Sequence, residues 1–183
     1  MNIEKLIQTC NYILRKHDFA FNYTKLIKLL YLADKESLKF SNQTITGDTY
    51  VSMDNGPVLS QLYDLIKNKC TNNTQELWNS RFIKNEFDLI AITNKIPDSE
   101  LSKFEKRILD EIDERFKDYN YGKMINFVHN NCPEWKAPQG SSVPIDTKDI
   151  LRSIGKTEDE INWIIEEQEA FEAEEAIFQT LAV

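Results

Sequence analysis

Two histidines, three cysteines and an uneven set of carboxylates are the side chains from which this sequence of 183 residues would have to build chemistry. His129 and Cys132 stand at H-x-x-C spacing, which offers two metal ligands at most, whereas zinc takes four, or three and a water. His17 lies far upstream in a turn, and no second Cys or His pair is near either histidine. No metal site and no cofactor is therefore expected. A hydrolytic centre needs a nucleophile beside a base, or paired carboxylates in a dry cleft, and the sequence announces neither. The acidic runs at 110 to 114 and 158 to 160 read as solvated helix faces. Catalytic residues are thus expected to be none, and a hydrolase would require a deep polar pocket around His129.

Phosphate chemistry is equally unsupported. Neither G-x-x-x-x-G-K-[ST] nor G-x-G-x-x-G occurs, and the five glycines are scattered. Tyr12, Tyr23, Tyr31 and Tyr63 could stack on bases, but helical spacing without a basic groove assigns them to a core. Charge points the same way. Residues 157–183 hold nine carboxylates (Glu158, Asp159, Glu160, Glu166, Glu167, Glu169, Glu172, Glu174, Glu175) and no Lys or Arg, which leaves 22 basic and 21 acidic side chains for residues 1–156. A near-neutral body with an acidic tail lacks the footprint whose counterion release drives nucleic-acid binding.

Two loops carry residues suited to contact. In Asp54-Asn55-Gly56-Pro57, glycine permits a turn closed to other residues, and Tyr63 lies one helical face beyond. In the second, His129 precedes the Pro-bracketed C-P-E-W-K-A-P, whose Trp135 must dock on the body or on a partner. Asp54, Asn55, Gly56, Pro57, Tyr63, His129 and Trp135 are the candidate partner-binding residues.

The elements that must position them follow from periodicity. Residues 2–16 place Ile3, Leu6, Ile7, Cys10, Ile13 and Leu14 on one face of a helix. A second helix, capped by Asn22 or Thr24, has apolar residues all round from Leu26 to Ala33 and should be central. Gln43 to Val51 suits a strand or extended arm, and Pro57 is predicted as the first residue of a helix carrying Val58, Leu59, Leu62, Tyr63 and Ile66. Lys67 to Gln75 reads as a loop, and Leu77–Ile83 and Phe87–Thr93 as a hairpin turning at Lys84-Asn85-Glu86. Pro97-Asp98-Ser99 announces a helix reaching Phe116, and another spans Tyr121 to Asn130. An irregular connection holds three of the five prolines, Asp146 caps a short helix, and Thr157 with Glu160 starts the last one. The expectation is a predominantly helical α+β single domain over residues 1–156, with a small antiparallel sheet or hairpin, followed by an acidic C-terminal helix over 157–183.

Composition sets the setting. Hydrophobic residues at 41% and charged residues at 28% suit a folded domain and exclude disorder. No apolar run nears the ~18 residues of a membrane span, and the opening segment is amphipathic, so neither membrane association nor export is expected. Cys10, Cys70 and Cys132 are odd in number and irregularly spaced, which suits reduced thiols and a cytoplasmic location.

Three segments in order, K-L-I-K-L-L-Y-L-A-D, M-D-N-G-P-V-L-S-Q-L-Y and V-H-N-N-C-P-E-W-K-A-P, resemble the Panacea domain, also called the SocA-like antitoxin domain. The resemblance covers about residues 5–155. It implies an antitoxin of a bacterial or phage toxin–antitoxin pair, acting on a cognate toxin by direct contact and without enzyme activity. Some such proteins are similar to adaptors that hand the toxin to a AAA+ protease, and others neutralise by complex formation alone; a phage-derived adaptor or anti-defence protein is the alternative. Asn130 and Asn131 follow His129 where the family often has an acidic residue.

Two expectations concern the last helix. Its apolar residues Ile161, Ile164, Ile165, Phe171, Ile177, Phe178 and Leu181 must be covered, either by the body or by a partner with a basic surface. Leu181, Ala182 and Val183 form a small apolar terminus of the kind bacterial unfoldases recognise, a candidate degradation signal.

Overall fold

The structure, a computed structural model, describes residues 2–70 and 73–181, with Phe171, Glu172 and residues 174–181 as backbone only. Ala182 and Val183 of the candidate degradation signal therefore lie outside the described residues, as does the side chain of Leu181. The elements run α1 (Ile3–Arg15), β1 (Ala20–Asn22), α2 (Tyr23–Ser41), β2 (Tyr50–Met53), β3 (Gly56–Leu59), α3 (Ser60–Ile66) and α4 (Asn73–Asn79). They continue with β4 (Phe82–Asn85), β5 (Asp88–Ala91), α5 (Lys103–Arg115), α6 (Tyr121–Asn131), β6 (Val143–Ile145), α7 (Thr147–Ser153) and α8 (Glu158–Leu181). The architecture is α+β and mostly helical.

α2 is the central element, as its all-round apolar pattern predicts. Asn22 caps it, its side-chain oxygen accepting from the Lys25 N–H at 3.1 Å. Leu26, Ile27, Leu29, Leu30, Tyr31, Leu32 and Ala33 are all buried, and the helix packs against α5, α6 and β3. α1 buries the predicted stripe of Leu6, Ile7, Cys10, Ile13 and Leu14.

Two small antiparallel sheets stand where one was expected. One has the order β1-β5-β4 and the other β3-β2-β6. β6 comes from the proline-rich connection, with Ser52 opposite Val143 and Tyr50 opposite Ile145. Pro144 is tolerated there because β6 is an edge strand.

Four expected boundaries shift. Pro57 does not open a helix: it lies in edge strand β3, opposite Ser52, and α3 begins at Ser60. The helix starts there because Asp48 accepts from the N–H groups of Gln61 (3.0 Å) and Leu62 (2.9 Å). Lys67–Gln75 is not all loop, and Leu77 to Asn79 is not strand. Gln75 and Trp78, three residues apart, are the buried pair of α4. The hairpin forms, but it turns at Glu86-Phe87, with Glu86 at φ 51°. α5 starts at Lys103, not beside Pro97, because Ser102 and Glu105 make a reciprocal capping box. Asp98 is instead drawn into bonds with Arg15 (2.6 Å) and Lys106 (3.0 Å), which hold its carboxyl below the usual range.

The root of α8 packs on the body. Thr157 and Glu160 form the predicted box, Ile161 and Ile164 are buried, and Gln168 donates to the Asn42 carbonyl at 2.8 Å. Among the described residues no helix is long and apolar enough to cross a membrane.

Candidate functional site

The β2–β3 turn is built around Gly56 at φ +100°, left-handed backbone that glycine accepts readily. There is also no room for a side chain. A Cβ would lie 2.6 Å from Val128 Cγ2, 3.4 Å from Lys28 Nζ and 3.5 Å from His129 Cδ2. Backbone of the turn thus touches α2 on one side and α6 on the other.

Lys28, on α2, is the most unusual group here. Only 1% of it is exposed, and its ammonium donates to the Pro57 carbonyl at 2.6 Å. Among the described residues it forms no ion pair. Burial without a counter-charge disfavours the protonated form and lowers its pKa to about 7.

α6 and the loop after it complete the junction. Trp135 docks on the body: its ring stacks on His129 at 4.0 Å and 10°, and its indole N–H donates to the Met53 carbonyl at 2.9 Å. His129 is drawn to a lower pKa by burial and by the Lys28 charge, against a bond to the Asp54 backbone. Its Nε2 is buried without a partner among the described residues. Next to Trp135, Glu134 accepts from the Tyr31 hydroxyl at 2.5 Å and from Lys35 at 2.7 Å. Burial and the adjacent Glu134 push the Cys132 thiol up to about 12, although Lys35 pulls the other way. Asp34, deeper in α2, accepts from the Ile45 and Thr46 N–H groups (2.8 and 2.9 Å), the Thr46 hydroxyl and the Tyr50 hydroxyl (3.0 Å). Its burial raises the carboxyl to about 6, those bonds holding it back.

In front of Lys28 opens a cleft of about 220 Å³, bounded by Tyr23 and Ile27 of α2, by Met53, Asp54 and Asn55 of the turn, and by Tyr63 and Lys67 beyond. Lys67 is held over two rings, 4.5 Å from the Tyr23 centroid and 5.5 Å from that of Tyr63, and donates to the Tyr23 hydroxyl at 2.8 Å.

The structure therefore gathers all seven candidate contact residues. Asp54, Asn55 and Tyr63 line the cleft, Gly56 and Pro57 hold its floor through Lys28, and His129 with Trp135 braces the turn from behind. His129 is not part of the lining. Lys28, Lys67, Tyr23, Asp34 and Glu134 were missed. The signal for Lys28 was a lysine inside a helix apolar on every side. The pairing of Lys67 with Tyr23 left no mark, because it joins residues 44 apart. His17 is half-buried and bonded to Asp113 at 2.8 Å, not exposed as its turn suggests. No group of three or more metal-ligating side chains occurs among the described residues.

A family model described as antitoxin SocA-like, Panacea domain, matches residues 26–136. No curated protein and no solved structure matches the chain. The matched stretch opens in α2 two residues before Lys28 and closes one residue after Trp135, so it contains the whole turn and both of its supports. The chain belongs to the SocA-like antitoxin family of Panacea domains.

Proposed function

We propose that this protein is the antitoxin of a toxin–antitoxin pair, and that it neutralises a cognate toxin by binding it in the cytoplasm without catalysing a reaction. Family membership carries the antitoxin role. Direct binding is supported by the convergence of two sequence-distant stretches, 23–28 and 53–67, on one open cleft, with Asp54 and Asn55 exposed at its rim. Such a surface, rigid at its base and open at its edge, suits recognition of another polypeptide. The cysteines Cys10, Cys70 and Cys132 are free thiols, in keeping with a reducing compartment.

The acidic helix is a second contact element in this reading. Its root is packed through Ile161 and Ile164, whereas Glu166, Glu167 and Glu169 are exposed, so these carboxylates are available to a basic surface on the toxin. The test is genetic. A reading frame next to this one should arrest growth when expressed alone and be harmless alongside this chain, and the two products should co-purify. A neighbour that is harmless alone removes the proposal.

A further inference from the structure

The cleft in front of Lys28 has a chemical character that the antitoxin reading does not by itself require. Its floor is an ammonium almost wholly removed from water, with three donor protons of which one is spent on Pro57. A buried cation without an opposing charge is costly, and holding a carbonyl in place does not need one. On the wall stands a second ammonium, Lys67, kept in position by the faces of Tyr23 and Tyr63 and likewise without a carboxylate partner among the described residues. Two cations thus face one space in which Ile27, Met53, Val58 and the tyrosine rings supply hydrocarbon and Thr24, Asp54 and Asn55 supply polar groups. Asp54 at the rim is the one acidic group in the lining.

We propose that this cleft is a carboxylate-recognition site, in which Lys28 and Lys67 take an Asp or Glu side chain of the neutralised protein while Tyr23, Tyr63 and Met53 pack on its stem. The inference rests on the antitoxin reading for the identity of the partner, but not for the chemistry of the site. Charge and the nature of the partner choose the ligand. A volume of about 220 Å³ admits an acidic side chain with room to spare. Two ammonium groups against one carboxylate leave the cleft net positive and attractive to an anion, and a polypeptide partner carries its negative charge as an Asp or Glu carboxylate. Docking an acidic group would also supply the counter-charge that Lys28 lacks in the free protein.

The experiment uses the full chain and N-acetyl-glutamate methylamide as probe, with the glutamine analogue as its neutral counterpart, followed by NMR at the Met53 methyl and the Tyr23 and Tyr63 rings. Saturable shifts are expected with the glutamate probe. Binding should be about tenfold weaker for the glutamine probe and for Lys28→Met or Lys67→Met, as loss of a charge-assisted bond predicts. Equal affinity for both probes, or shifts that survive both substitutions, would overturn the site. The partner is tested separately with Lys67→Glu, a rim change whose melting temperature should match the parent's. Affinity for the toxin should fall at least about tenfold. If Lys67→Glu binds and neutralises as the parent does, the cleft assignment fails and the antitoxin reading stands. If the parent neutralises nothing, the choice of partner falls with that reading, and the probe titration alone decides the carboxylate chemistry.

Discussion

The junction of α2, β3 and α6 and the seat of α8 both bury side chains almost completely, but what they bury differs. At the junction the hidden groups include Lys28, Asp34 and Glu134, each held by directed bonds, whereas under α8 they are Ile161 and Ile164. Hydrocarbon burial stabilises without conditions. Buried charge does so only when every bond is made, and apolar replacements of similar size often serve folding as well or better. The junction's composition therefore answers to something besides stability. The family match covers the junction and stops short of α8, which places the costly chemistry in the shared part of the chain.

Five changes would break or sharpen that contrast. Deleting residues 157–183 removes Ile161, Ile164 and the cap at Thr157, and should cost about 5 kcal/mol in urea unfolding. Deleting only 169–183 should leave the body's stability unchanged. It is the later cut, not the one at 157, that isolates the role of the acidic segment in neutralisation. Asp34→Ala strands four donors in the core and should cost about 4 kcal/mol. A loss under about 1 kcal/mol would mean that water replaces the carboxylate.

Gly56→Ala sets a methyl against Val128 at a φ that alanine disfavours, and should cost about 3 kcal/mol. Parental stability would show that turn and α6 are not in the contact described. Lys28→Met has the smallest effect of the three substitutions and the opposite sign, a gain of about 1 kcal/mol at neutral pH, since losing the bond to Pro57 offsets part of the relieved charge burial. Its pH dependence is the sharper observable. The folded pKa of about 7 lies below the unfolded 10.5, so the unfolded chain binds the proton more tightly. The parent's penalty is full below pH 7 and fades as pH rises toward 10.5, so the gap between parent and variant should close over that interval in parallel urea titrations.

Elements with local causes were legible in the sequence. The stripe of α1, the Asn22 cap, the Thr157 box and the all-round burial of α2 each follow from residues within a few positions of one another. Misplaced elements had distant causes. α3 starts at Ser60 and not at Pro57 because Asp48, more than ten residues upstream, supplies the acceptors. β6 exists because Tyr50, Val51 and Ser52 offer it an edge. The same division holds at the site. Glycine chemistry marked Gly56 and a Pro-bracketed loop marked Trp135, and both were found. That His129 stacks on Trp135, that Lys28 reaches Pro57 and that Lys67 lies over Tyr23 are products of tertiary packing, which no local spacing records.

The claim at the centre is that this protein acts by occupying another one. It is tested most directly by adding the purified chain in graded amounts to the purified toxin and following toxin activity together with complex mass. Occupation predicts that inhibition rises in proportion to added chain and is complete at a fixed stoichiometric ratio, the point at which all toxin runs as complex. Full inactivation by a small substoichiometric amount, with no complex formed, would contradict it.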